Sequence, residues 1–435
     1  ETPIRSAYIH TAQVFRVEDP PAERAQAIRR CVERCHQAGL NAIVPYVGTT
    51  SGQSYFPSEV NSEHRWGDWD PIRIFVDEAR ARGLEVHLCV PVLACGHATP
   101  AGILKQHPEW ALPGTDGEPV GAISPGHPEA RRWVVAWLKE IVDRYEPDGL
   151  LLDYLRFPSQ ETWLDSESAS RFEEWRQSTG AEPRADEIQQ FRELLLTELT
   201  EQISSNLKEI NPDLHIAFYS WGHHVTSGHR VAQNWPLWAQ RGYIDEVNVC
   251  GYWFPESYPK RWGSNHLEAF ETVMSEARRL LNEAGADTRL TFALGVRTSH
   301  GQVKTVVDIA AYLRTAAKLN MDGVTYFTWS YLEPFLPQLE ATGVLTAYAS
   351  GQPIGDLTTE NIRKGRTPKQ TSTQQMELNA NGGRATATVY VATADSRQRA
   401  RQTADFLGNG KNDHREITAA ITALPPAGGT VQLAE

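Results

Sequence analysis

Chemistry needs side chains held where their state can change, and one run in this chain supplies such a place. Gly149-Leu-Leu-Leu-Asp153 sets a carboxylate at the end of a wholly apolar stretch. Its neighbours must strip that group of water, a cost borne mainly where charge or a proton is used. Arg156 follows closely. Asp153 is therefore either a working carboxylate or half of a structural ion pair with Arg156. Arg156 in turn is either that partner or a ligand for a substrate oxygen. Glycoside hydrolysis usually takes two carboxyl groups flanking the bond, one of them acting as an acid. Glu256 and Glu333, each in a segment following a predicted strand, are the best-placed seconds to Asp153. Asp68 and Asp70 are weaker, because Asp70-Pro71 reads as a helix N-cap followed by proline. The residues do not choose between Glu256 and Glu333.

Aromatic side chains form the second signal among 13 Trp and 14 Tyr. Tyr46, Tyr154, Tyr219, Trp221, Tyr252, Trp253 and Trp329 fall at or just past predicted strand ends, and Trp66 lies in the loop after the second strand. Flat rings with polar edges suit the apolar C–H faces of pyranoses. With His10, His223 and Arg156 they make the expected substrate-binding set. Ordinary packing is the competing reading, and it is preferred for Trp133, Trp137, Trp235 and Trp238, which fall in helical patterns. The histidines His10, His97, His223, His224 and His229 do not carry a zinc signature: no His-Glu-x-x-His occurs, and a site needs three or four converging ligands. No Gly-x-Ser-x-Gly turn follows a strand. Neither a metal nor another cofactor is expected.

The elements that position these residues alternate regularly. Eight strands are predicted, at Ser6–His10, Ala42–Val47, Glu85–Val92, Gly149–Leu155, His215–Ser220, Asp245–Tyr252, Arg289–Gly295 and Gly323–Trp329. A helical pattern follows each of the first seven. Ala22–Ala38 carries Ile28, Cys31, Val32 and Cys35 at helical spacing and stops at Gly39, which enters the left-handed region cheaply. Strands apolar on both faces belong to a parallel sheet covered by helices. The predicted class is α/β, a (β/α)8 barrel with its site at the C-terminal strand ends. By the same rule Asp245 and Glu246, which begin a strand, belong at the opposite, stabilising face.

Composition limits the alternatives. With 40% apolar and 22% charged residues the chain is globular. Its 42 Lys and Arg against 54 Asp and Glu, a net charge of −12, argue against a nucleic-acid partner. No apolar run approaches the roughly 18 residues that would span a membrane. The five cysteines form no Cys-x-x-Cys pair, and Cys31 and Cys35 read as small buried side chains. Oligomeric state is not legible. Residues 1–345 are expected to form the barrel, 346–383 a polar linker or extension, and 384–435 a small segment, with a strand near Ala385–Ala392 and a helix near Asp395–Phe406.

Two resemblances follow from motifs. Gly67-Asp-Trp-Asp-Pro71, Arg82-Gly-Leu-Glu-Val-His87, His107-Pro-Glu-Trp110, Ser124-Pro-Gly-His-Pro128, Tyr145-x-x-Asp-Gly149 and Leu152-Asp-Tyr-Leu-Arg-Phe-Pro158 resemble the glycosyl hydrolase-like family ten barrels, from residue 5 to about residue 340. That resemblance implies a TIM barrel, Asp153 in the motif after strand four, a carbohydrate substrate, and a bacterial, secreted or periplasmic protein. Where the family usually has Arg and Asp near the end of strand two, Val47 and Gln53 stand here, and Cys250 replaces a common Gln. The stretch from Asn409 to Val431 resembles the opening of a pectate-lyase-type β-helix, which implies that the natural protein continues beyond Glu435. The expected function is a glycoside hydrolase acting through a carboxylate pair, with Asp153 as nucleophile or essential carboxylate and Glu256 or Glu333 as proton donor. The alternative is a non-catalytic carbohydrate-binding barrel serving an appended β-helix.

Overall fold

The computed structural model describes residues 2–179, 187–221, 228–254, 265–355 and 357, and the backbone of 387–392, 406–407 and 429–434. Eight parallel strands close into a barrel in which each strand neighbours the next in sequence and the last pairs with the first. They are β1 (Ile4–Ile9), β2 (Ala42–Pro45), β3 (Glu85–Pro91), β4 (Gly149–Asp153), β5 (His215–Ser220), β6 (Glu246–Gly251), β7 (Arg289–Gly295) and β8 (Gly323–Phe327). Closure is made by β1 against β8, in register from Ile4 with Gly323 to Tyr8 with Phe327. The protein is a TIM barrel. Every strand predicted from the alternation of elements is present, with ends moved by a few residues at most.

The reasons are local. All five residues of β4 are buried, because helices cover its outer face and the barrel interior its inner one. Ala25, Ile28, Cys31, Val32 and Cys35 form the buried stripe of helix Pro21–Gln37, and both cysteines are free thiols in the core. Gly39 closes that helix at a φ of 77°. Asp70 caps helix Pro71–Arg80, its Oδ1 accepting the Arg73 backbone N–H at 3.0 Å. Gly149 faces His215 across β4 and β5. A Cβ at Gly149 would stand 2.7 Å from the His215 carbonyl oxygen, so any side chain there would push the strands apart.

Polar side chains tie the barrel interior. The Tyr8 hydroxyl donates to Asn248 Oδ1 at 2.8 Å, and Asn248 Nδ2 donates to Thr291 Oγ1 at 2.8 Å. Thr291 donates in turn to Glu246, whose Oε2 lies 2.9 Å from His215 Nε2. Glu246 opens β6, so this chain of bonds reaches the N-terminal face expected for Asp245 and Glu246. Asp245 accepts there from the Ile216 N–H and Lys208.

Between β3 and its covering helix Pro128–Tyr145 stands an antiparallel hairpin, Ala111–Pro113 with Pro119–Ile123, which the periodicity did not announce. The first compact unit runs to Gly365, past the expected barrel end at 345. That unit includes helix Val344–Ala349, which buries Val344, Leu345 and Tyr348. The second unit, Arg366–Glu435, contains a three-stranded parallel sheet in which Ala387–Ala392 lies between Phe406–Leu407 and Gly429–Ala434. The expected helix near Asp395–Phe406 falls outside the described residues, except for Phe406, which is in a strand. Among the described residues no helix is long and apolar enough to cross a membrane.

Candidate active site

The C-terminal ends of the strands surround a cavity of about 880 Å³. Asp153, the last residue of β4, lines it and is only 8% exposed. Its Oδ2 accepts the Tyr46 hydroxyl at 2.7 Å and its Oδ1 the Tyr154 backbone N–H at 2.8 Å. Tyr154 makes that second bond from the left-handed region, at a φ of 54°. A bulky residue there costs of order 1–3 kcal/mol, and such strain gathers at functional sites. Burial raises the Asp153 pKa above its usual 3.8, against the opposing pull of the Tyr46 hydroxyl, the Arg156 charge and the Tyr154 N–H. The group holds its proton longer than an exposed aspartate does.

Arg156 does not close an ion pair with Asp153. Its guanidinium sits instead 4.7 Å from the ring centres of both Tyr154 and Trp221, a cation–π arrangement with two rings. His10 stacks on Tyr46 with ring centres 4.7 Å apart and planes within 6°. Desolvation lowers the His10 pKa to about 4, so its ring is neutral near neutral pH. Tyr219 and Tyr252 stand 6.1 Å apart on the neighbouring strands. The cavity thus has flat aromatic walls with hydroxyl, imidazole and guanidinium edges. Among the described residues no group of three His, Cys, Asp or Glu side chains is placed to hold a metal ion.

Of the expected residues, Asp153, His10, Tyr46, Tyr154, Arg156, Tyr219, Trp221, Tyr252 and Trp253 line this one cavity. Trp253 contributes least, being 2% exposed and packed against Phe270. Glu256 and His223 lie outside the described residues. The structure does not bring Glu333 to Asp153. Its carboxylate pairs with Arg34 at 2.7 Å, in a second cavity of about 310 Å³ beside helix Pro21–Gln37. Trp329 also belongs to that second cavity and is 3% exposed. Trp66 lines neither, because it packs among Phe15, Tyr55 and Trp69. Trp66 is thus aromatic packing, Trp329 is buried in the core beside the second cavity, and Glu333 pairs with a neighbouring cation.

Sequence reasoning passed over Tyr8, Arg230, Thr298 and Phe327, which also line the large cavity. Tyr8 had a signal. Side chains two apart on a strand point the same way, so Tyr8 accompanies His10 as Tyr219 accompanies Trp221 and Cys250 accompanies Tyr252. Arg230 and Thr298 come from loops and carry no such mark.

Residues 3–273 match the family described as glycosyl hydrolase-like 10. Glycosyl hydrolase YngK of Bacillus subtilis (strain 168) is 22% identical over 261 residues, 53% of this chain and 49% of that protein. Glycosyl hydrolase DigH of Escherichia coli O6:H1 is 24% identical over 225 residues, 45% of this chain and 48% of that one. The chain therefore spans about half the length of these curated relatives. The glycoside hydrolase domain of PgaB (BpsB) from Bordetella bronchiseptica superposes with a TM-score of 0.60 at 15% identity, covering 78% of this chain and 98% of that domain. The α-L-fucosidase isoenzyme 2 of Paenibacillus thiaminolyticus gives a TM-score of 0.55 at 13% identity, covering 99% of this chain and 64% of that one. These likenesses carry the barrel fold. With its matched motifs spanning more than half its length, the chain belongs to the glycosyl hydrolase-like 10 family.

Proposed function

We propose that the protein is a glycoside hydrolase that holds a polysaccharide or oligosaccharide in the large cavity, with Asp153 as its essential carboxylate. The observation that carries this reading is a buried, hydrogen-bonded carboxyl group with a raised pKa opening on a cavity walled by aromatic rings. A carboxyl group that holds its proton to higher pH than an exposed aspartate suits the acid that protonates a leaving glycosidic oxygen, which moves the expected proton-donor role to Asp153. The Tyr46 hydroxyl fixes its orientation. Glu256 supplies the second carboxylate in this reading, because it follows shortly after Tyr252 and Trp253, which line the cavity. Tyr46, Tyr154, Tyr219, Trp221 and Tyr252 offer the sugar-stacking surfaces. The protein works outside the cytoplasm, secreted or periplasmic.

One observation favours a second reading. Asp153 is the sole carboxylate among the described residues that line the cavity. A non-catalytic barrel that binds carbohydrate for an appended β-helix lyase or hydrolase would need no second one. Release of reducing ends from a panel of bacterial, algal and plant polysaccharides separates the two. The hydrolase reading expects release by the wild type and a loss of about 10²–10⁴-fold in Asp153→Asn, the usual worth of a general acid. Release that is unchanged in Asp153→Asn would remove Asp153 from the chemistry.

A further inference from the structure

The described residues that line the cavity carry more positive than negative side chains, although the molecule as a whole is acidic. The chain carries a net charge of −12, yet the described residues lining the cavity include two arginines, Arg156 and Arg230, and a single carboxylate, Asp153. Arg156 is the unusual member. Its Nε is buried with no hydrogen-bond partner among the described residues. Among the described residues Nη1 reaches the Phe157 carbonyl oxygen at the long distance of 3.4 Å. Arg156 as a whole is half-buried and lines the cavity, but a buried N–H donor such as its Nε is ordinarily hydrogen-bonded, because an unsatisfied one keeps its desolvation cost. The ring centres of Tyr154 and Trp221 each lie 4.7 Å from the guanidinium carbon, and a ring face attracts the charge without serving as a strong hydrogen-bond acceptor. A planar fork matches a carboxylate with two parallel N–H···O bonds.

Asp153 does not satisfy it. The two groups make no ion pair, and both Asp153 oxygens already accept other donors. The guanidinium charge is therefore available to something else that enters the cavity.

We propose that the cavity selects an acidic saccharide, with Arg156 receiving the carboxylate of a uronic-acid-type sugar. This deepens the proposed function and rests on the reading of the cavity as a saccharide site. Arg156 is then a specificity-determining residue. The carboxylate sits on the guanidinium edge while the sugar ring lies against the aromatic walls, and Arg230 adds a second positive charge at the exposed rim. A negative overall charge repels a polyanion at a distance, so the attraction must be local, and screening by salt should weaken it.

The test is calorimetric binding of matched monosaccharides to the full chain, with D-glucuronate and D-galacturonate set against D-glucose and D-galactose, and glucose 6-sulfate as a second anion. The expected result is at least ten-fold tighter binding of the uronates than of their neutral counterparts. That preference should disappear in Arg156→Gln, persist in part in Arg156→Lys, and shrink with added salt. Equal affinity of charged and neutral sugars for the wild type would overturn the proposal, and this comparison does not depend on any variant folding. A preference that survives Arg156→Gln would overturn it as well. Tighter binding of the sulfate ester than of glucuronate would overturn the assignment to a carboxylate. The hydrolase reading fails separately. Arg156-dependent uronate binding without cleavage of any chain leaves this inference standing and sinks the hydrolase. Asp153-dependent cleavage of neutral chains with no uronate preference does the reverse.

Discussion

At the scale of single residues, everything turns on how Asp153 is surrounded. Burial raises its pKa, while the Tyr46 hydroxyl, the Arg156 charge and the Tyr154 N–H each stabilise the ionised form. Removing any of the last three should therefore move the pKa further up. For an acid that must be protonated to work, activity is lost as pH rises through that value. Tyr46→Phe is expected to shift the alkaline limb of the kcat profile to higher pH, with a stability loss of about 1 kcal/mol for the missing hydrogen bond. A limb that stays in place, or moves down, would show that Tyr46 does not govern the proton. This site was half legible from residue types. The apolar run before Asp153 marked it, and the Asp153–Arg156 ion pair weighed against function is not what forms. Trp66 and Trp329 were misleading because a tryptophan near a strand end can equally turn back into the packing, and only the path of the loop decides. For Glu333 the deciding fact is Arg34, far away in sequence and close in space.

At the scale of elements, alternation and punctuation carried most of the information. Glycine and proline marked where helices began and stopped, and apolar runs marked strands buried on both faces. The hairpin at Ala111–Ile123 escaped because two short strands inside a long connection have too few residues to show a period. The placement of Glu246 at the start of β6 yields a pH expectation with a definite sign. Desolvation pushes its pKa up, but the His215 hydrogen bond and charge, with Thr291 and His87, outweigh that and leave the pKa below 4.5. A carboxylate whose folded pKa is depressed stabilises the fold above its unfolded value and loses that contribution as pH falls through the folded one. Thermal unfolding should thus show falling stability as the pH drops below about 4.5, and Glu246→Gln should flatten that dependence. The variant should also cost about 1–3 kcal/mol at neutral pH, because the glutamine amide keeps one acceptor oxygen where His215 and Thr291 used two. A Glu246→Gln protein with wild-type stability and acid sensitivity would contradict this.

At the scale of the whole molecule, the barrel strands and helix Val344–Ala349 belong to one compact unit. A chain ending at Gly365 should fold cooperatively and keep the saccharide binding of the full chain within about two-fold. A chain ending at residue 343 should lose stability, since Val344, Leu345 and Tyr348 together bury side chains worth about 1.5–3 kcal/mol each at the aliphatic positions. Denaturant unfolding of the two truncations compares them, and equal midpoints would refute the claim. Barrel closure was legible in the sequence because eight strands with no sign of an edge have one economical arrangement. The charge of the cavity was not legible, because Arg230 arrives from a loop whose course no pattern in the chain foretells.

The central claim is that Asp153 holds its proton to higher pH than an exposed aspartate, because it is desolvated where it lines the cavity. The direct measurement is a carbon-detected NMR titration of the aspartate carboxyl groups in the intact protein, with Asp153→Asn used to assign the resonance. The expected midpoint lies above 3.8, and higher still in Tyr46→Phe. A midpoint at or below 3.8 would mean that Asp153 is an ordinary ionised aspartate, and the proton-donor role would go with it.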